Sequence, residues 1–135
     1  MGFFDILFGR SGQEQEEPQS KKLEWLNLAS ISDLDAAIAF SHTKPVLIFK
    51  HSTRCSISAS ALDRLGRFWD GDQVSVKTFY LDLLNHRDIS DKIAARLNLE
   101  HQSPQMIIVK DGVAIFNASH GMIDFSDVKT HAPVL

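Results

Sequence analysis

The sequence predicts an α/β domain in three layers. Its central mixed sheet holds parallel strands plus a C-terminal antiparallel hairpin, with helices on both faces. Three observations predict it. VLIF at 46–49 is an unbroken apolar run, as in a strand buried on both faces. Segments of helical period alternate with strand-like ones along the chain, the pattern of a sheet built from crossover units. Lys110-Asp111-Gly112, between QMIIVK and VAIFNAS, is a tight-hairpin signal.

The elements follow in order. LEWLNLAS at 23–30 alternates weakly and predicts a first strand with Trp25 turned inward. Ser30 and Asp33 have the spacing of a capping box, with Asp in place of Glu or Gln. Leu34, Ala37, Ile38 and Ser41 then predict a helix over 32–42, ended by Lys44-Pro45. After the VLIF strand and a short turn, Ile57, Ala61, Leu62, Leu65 and Phe68 share one face of a second helix, closed by Gly71. VSVKTFYLDL at 74–83 is rich in β-formers and predicts a strand. Asp88 and Asp91 are candidate caps of a third helix, whose apolar face is Ile89, Ile93, Ala94 and Leu97. Ser103-Pro104 introduces the hairpin, and Asp124 caps a last helix over 125–131. Right-handed crossovers make the early strands parallel. In such sheets ligands collect at the carboxyl ends of the strands.

The 135 residues suit one domain with its own core. A net charge of -3 with scattered Lys and Arg leaves no basic stripe, so no nucleic-acid partner is expected. MGFFDILFGR is too short and too interrupted by Asp5 to span a membrane, and it lacks signal-peptide features. Ile6 stands where a myristoylation motif wants Ser or Thr. RSGQEQEEPQSKK is polar and aperiodic, which predicts a flexible tail over 1–22 and a domain over 23–135. The single cysteine forms no internal disulfide, which fits a reducing, cytoplasmic location.

That cysteine lies in FKHSTRCSIS, a strand-to-helix turn. A helix start and a nearby cation stabilise a thiolate, and a reactive thiol needs both. The helix start alone favours an anion by roughly 0.3–1 kcal/mol. Arg54 reads as an exposed charge, and Ser52 and Thr53 as residues that bond the turn backbone. Ser56 takes the first helical position. Position 58, one turn on, carries serine, so no second thiol can resolve a mixed disulfide on Cys55.

KPVLIFKHSTRCSIS, FYLDLLNHRDISDKIA and HQSPQMIIVKDG together resemble the monothiol bacilliredoxin (YtxJ-like) family of the thioredoxin-like superfamily. The resemblance runs from Leu23 to the end. It implies a thioredoxin-like fold with a cis proline at Ser103-Pro104 facing Cys55, where the backbone pairs with substrate. It implies Cys55 as catalytic thiol, with Thr53, Arg54, Ser56 and Ser58 supporting the turn. Ser56 departs from the family proline that follows the cysteine and would fix φ there. The implied activity is removal of a low-molecular-weight thiol, bacillithiol by resemblance, from S-thiolated client proteins. A second low-molecular-weight thiol or a partner reductase restores Cys55, and no bound cofactor is implied. Two other readings stay open: a thioredoxin-like interaction module, and a redox sensor in which Cys55 is modified rather than catalytic.

The six histidines show no paired ligand spacing, so no metal is expected. His51 reads as a surface or strand-end residue in preference to a neighbour of the active turn that influences Cys55, and Asp82 as a strand-end turn residue in preference to a buried acid beneath the site. No Ser-His-Asp pattern is visible in the sequence.

Overall fold

The computed structural model describes residues 22–135. The tail expected over 1–22, with its apolar start at Phe3–Phe8, therefore lies outside the described residues except for Lys22. In chain order the elements are β1 (Leu26–Asn27), α1 (Ile31–Phe40), β2 (Val46–His51), α2 (Ser56–Phe68), β3 (Lys77–Asp82), α3 (Arg87–Leu97), β4 (Gln105–Lys110), β5 (Val113–Ser119) and α4 (Phe125–His131). A single 3-10 turn, His120–Met122, precedes α4.

The sheet runs β1-β3-β2-β4-β5. β1, β3 and β2 are parallel, β4 is antiparallel to β2, and β5 pairs antiparallel with β4. VLIF is thus a central strand, but parallel on one side only. All six residues of β2 are buried, because its odd and even side chains enter two different cores. Val46 and Ile48 pack with Leu34 and Ala37 of α1 and Ile89, Ile93 and Leu97 of α3. Leu47 and Phe49 pack with Ala61 and Leu65 of α2 and Phe125 and Val128 of α4. Fully burying such a side chain contributes roughly 1.5–3 kcal/mol. Truncating Phe49 to alanine would therefore cost about 3–5 kcal/mol.

The local signals explain most boundaries. Ser30 Oγ accepts from the Asp33 amide at 3.0 Å, and Asp33 Oδ2 accepts from the Ala29 amide at 2.9 Å, so both residues cap α1. Asp124 accepts from Ser126 at the start of α4. Asp111 and Gly112 have φ of 53° and 79°, the left-handed pair that a two-residue hairpin requires. The pairing shifts register between Ile108 and Val109, which kinks the edge strand β5.

Other expectations need correction. β1 is only two residues long, and Trp25 precedes it, packing its ring 5.8 Å from Phe49. α1 spans 31–40 rather than 32–42, because Ser41 leaves the helix as its C-cap. β2 runs two residues past VLIF, to His51. β3 begins at Lys77, since Val74 is held in an isolated bridge to Pro133. The N-cap of α3 is His86, with no side-chain cap bond, and Asp88 sits in the first turn instead. α2 ends at Phe68 with Trp69 as its C-cap, before Gly71. On α2, Ile57 and Phe68 are 56% and 61% exposed, and the inward face is Ser58, Ala61 and Leu65. Ala61, Leu62 and Leu65 of the expected face do meet the core, and only its two ends, Ile57 and Phe68, turn out to solvent.

Candidate active site

β2 ends at His51 in the middle of the sheet, and α2 starts five residues later. The connecting turn closes when the Cys55 amide donates to the Ser52 carbonyl at 3.1 Å. Thr53 and Arg54 form its exposed corner. Cys55 is the N-cap of α2, with extended backbone, and its carbonyl accepts the first helical bond from Ala59 at 3.0 Å. Its side chain makes no cap bond and is partly exposed. The thiol therefore sits at the positive end of a thirteen-residue helix, within reach of solvent. Ser56, the first helical residue, is exposed.

Ser58 faces the other way and is fully buried. Its Oγ accepts from the Ser52 amide at 3.1 Å and lies 2.7 Å from His51 Nδ1. His51 is 7% exposed, so it is a buried strand-end residue and not a surface one. Burial lowers its pKa, partly offset by the Asp82 carboxylate. In the tautomer of the neutral ring that carries its proton on Nε2, Nδ1 accepts, and the Ser58 hydroxyl donates to it while accepting from the Ser52 amide. Asp82 pairs with His51 in the β2–β3 register. Its Oδ2 accepts from Asn85 at 2.7 Å, and its Oδ1 is buried without a hydrogen-bond partner. Asp82 is thus both the strand-end residue expected and a partly buried acid beside the site. Tyr80 lies with its ring 5.6 Å from His51, and burial raises its phenol pKa.

The third wall comes from the start of β4. The Ser103–Pro104 peptide bond is cis. Gln105 pairs with Lys50, which places Pro104 across from His51. Ser103 Oγ is also buried without a partner, and the Pro104 carbonyl accepts from the His120 amide at 3.2 Å. Arg64 of α2 donates to the Ile123 carbonyl at 2.9 Å and the His120 carbonyl at 3.3 Å, tying the 3-10 turn to the helix that carries Cys55.

The expected residues Cys55, Ser58, Ser103 and Pro104 thus gather at one end of the sheet, around His51. Thr53, Arg54 and Ser56 stay on its exposed rim. Sequence reasoning missed His51 and Ser58 as a buried pair. The spacing 58, 61, 65 was the available signal, because it puts Ser58 on the face that meets β2.

On the opposite face of β2, Lys50 is fully buried. Its Nζ donates to His101 Nδ1 at 3.2 Å, and Ser90 Oγ approaches the same nitrogen at 3.2 Å. Burial, partly offset by Asp91, lowers Lys50 to about 8. Burial, then the Lys50 charge, lowers His101 as well. A groove of about 820 Å³ lined by Leu26, Phe40, Trp69 and Lys77 lies at the other end of the strands and includes none of the site residues. Among the described residues, no group of three or more His, Cys, Asp or Glu is placed to hold a metal. No helix among them is long and apolar enough to cross a membrane.

Residues 26–128 match the family model of the monothiol bacilliredoxin BrxC, over most of the chain and all of the site. The chain belongs to the monothiol bacilliredoxin family. A solved structure described as a thioredoxin-fold protein with a proposed oxidoreductase role is 33% identical, with a TM-score of 0.68, covering 78% of this chain and 91% of that one. Malassezia sympodialis thioredoxin is 15% identical at a TM-score of 0.65, covering 86% of this chain and 96% of that one. Fasciola hepatica thioredoxin is 16% identical at 0.56, covering 78% and 97%. The two thioredoxins show the fold alone. This bacilliredoxin-family chain has the thioredoxin fold and is a thiol oxidoreductase.

Proposed function

We propose that Cys55 removes a low-molecular-weight thiol, bacillithiol or a close analogue, from protein mixed disulfides. The observation that supports this reading is the pairing of a partly exposed thiol at the N-cap of α2 with a buried serine one turn on. The Cys55 thiolate attacks the small thiol's sulfur in the mixed disulfide. A new disulfide forms on Cys55, and the client leaves as its thiolate. A stabilised thiolate is also a good leaving group, so Cys55 hands the adduct on readily. Ser58 cannot displace it, and the chain has no second cysteine. An external thiol therefore attacks the adduct, releasing Cys55 and a small-molecule disulfide. S-thiolated proteins are the substrates, and the small thiol or a partner reductase is the co-substrate. Ser103 and Pro104 line the side from which the client backbone approaches, and Thr53, Arg54 and Ser56 form the rim.

The test mixes reduced protein with one client carrying a bacillithiol adduct and one carrying glutathione. Intact mass spectrometry follows both chains, with Cys55→Ser as control. The bacillithiol mass should leave the client and appear on Cys55 within minutes, faster than glutathione. Clients that keep their adducts, while Cys55 alkylates no faster than free cysteine, would refute the reading.

A further inference from the structure

We propose that the buried cross-strand pair Lys50 and Gln105 positions the Ser103–Pro104 segment for the client, and that protonation of His101 releases this hold. The proposal rests on Cys55 being the exchanging thiol and on the client approaching along Ser103 and Pro104.

Lys50 of β2 and Gln105 of β4 are register partners, and both are fully buried. Directly opposed residues leave a sheet on the same face, so the two side chains lie together. Between them they hold three consecutive residues of the loop that joins α3 to β4. Gln105 Nε2 donates to the Glu100 carbonyl at 3.2 Å, and its Oε1 accepts from the Gln102 amide at 3.4 Å. A further contact, from Nε2 to Asn117 Oδ1 of β5 at 3.4 Å, fixes the amide itself. Lys50 Nζ donates to His101 Nδ1 at 3.2 Å. Ser103 follows Gln102 directly, and Pro104 precedes Gln105. Every link from Lys50 to the Ser103–Pro104 segment is thus a hydrogen bond or a covalent bond.

An ammonium has donors only, so the Lys50 bond exists only while His101 Nδ1 keeps its lone pair. A proton on Nδ1 sets an N–H and a positive charge against the ammonium, and the bond is lost. Ser90 Oγ of α3 lies 3.2 Å from the same nitrogen and can accept that N–H. The ring therefore has one partner when neutral and another when charged. The charged groups bearing on it are Lys50 from β2 and Asp91 and Arg87 from α3, and Glu100 is its neighbour in the chain. Burial, then Lys50 and Arg87, lower its pKa, and Asp91 opposes them. The hold is present at neutral pH and is lost as pH falls through the His101 midpoint. His101 is exposed as a residue, so it can be replaced without opening the core.

The test follows two rates in the reduced full chain from about pH 5 to 8, the span in which a histidine changes charge. One is adduct transfer from the bacillithiolated client to Cys55, and the other is alkylation of Cys55 by iodoacetamide. Both consume the same thiolate, so their ratio cancels its titration and reports the docking of the client. In the wild type the ratio should fall roughly fivefold or more as His101 gains its proton, at a midpoint read independently by NMR of the ring. Lys50→Met should lower the ratio by a similar factor at neutral pH, flatten its pH dependence and raise the His101 midpoint. His101→Asn puts a carbonyl oxygen near the place of Nδ1 and cannot titrate. It should keep the wild-type ratio at neutral pH and hold it at acid pH, a rescue that a lysine serving the fold alone would not produce. Should Lys50→Met fail to fold, the wild type and His101→Asn carry the test. A wild-type ratio that stays flat through the His101 midpoint, or an acid fall that persists in His101→Asn, would overturn the proposal. Absence of transfer by the wild type at neutral pH would overturn the reading of Cys55 and this inference with it. The two failures are told apart because loss of the hold alone leaves transfer measurable at neutral pH.

Discussion

Replacing Lys50 by methionine changes the stability of the fold in a pH-dependent way whose sign and size follow from the structure. Lys50 is fully buried on the α1–α3 face of β2, and its pKa is lowered to about 8 from 10.5. Below pH 8 the folded and unfolded chains both carry its proton, so the lysine contributes no slope. Between 8 and 10.5 the unfolded chain keeps the proton that the folded chain has lost. Stability rises with pH wherever the unfolded state binds more protons. At pH 9.5 the folded state should gain a factor of about 30 over pH 7, or about 2 kcal/mol. Lys50→Met removes the titrating group while keeping the length of the stem, and replacing a buried charge by an apolar side chain is often neutral or stabilising. Urea unfolding of both proteins at pH 7 and 9.5 is the assay. The wild type should recover about 2 kcal/mol relative to Lys50→Met over that interval. The comparison cancels Tyr80 and every other titrating group common to both chains. A wild-type-minus-variant difference that stays flat would refute the reasoning, because Lys50 would then hold its proton as firmly in the folded as in the unfolded chain.

Two further predictions concern the hairpin and the turn. Gly112→Ala should destabilise by about 1 kcal/mol in thermal melts, because φ of 79° disfavours an L side chain and the new Cβ would meet His42 at 3.4 Å. Ser58→Cys puts a second thiol one helical turn from Cys55, so an adduct on Cys55 should resolve internally, and mass spectrometry should show an intramolecular disulfide with release of the small thiol.

The sequence made the order of elements legible because each carries its own local signal. Ser30 and Asp124 bind helix amides within a few residues, and Asp111-Gly112 turns the hairpin without tertiary help. The cysteine turn was legible for the same reason, since strand, turn and helix start are contiguous. What was not legible depends on contacts between elements. His51 looked like the exposed end of an apolar run, yet β2 continues two residues further because β3 and β4 pair with it to its end. Lys50 is buried because α3 and the loop bearing His101 close over it, across about fifty positions of chain. Ser58 was legible as the residue one turn after Cys55, but its burial was not, because apolar spacing puts the more hydrophobic Ile57 beside it at the start of the inward face. The polar pair is inward because each partner satisfies the other, something no hydrophobic pattern records.

The position of β2 in the sheet carries one more consequence. It is hydrogen-bonded on both sides, to β3 and β4, whereas β1 has two residues and β5 is a kinked edge. Amide exchange in such a sheet proceeds from the edges inward, and the central strand opens only with the whole fold. The cysteine turn hangs directly from that strand. Fraying at the periphery therefore leaves the thiol, its helix and the buried His51–Ser58 bond assembled, and the site is lost only when the protein itself unfolds.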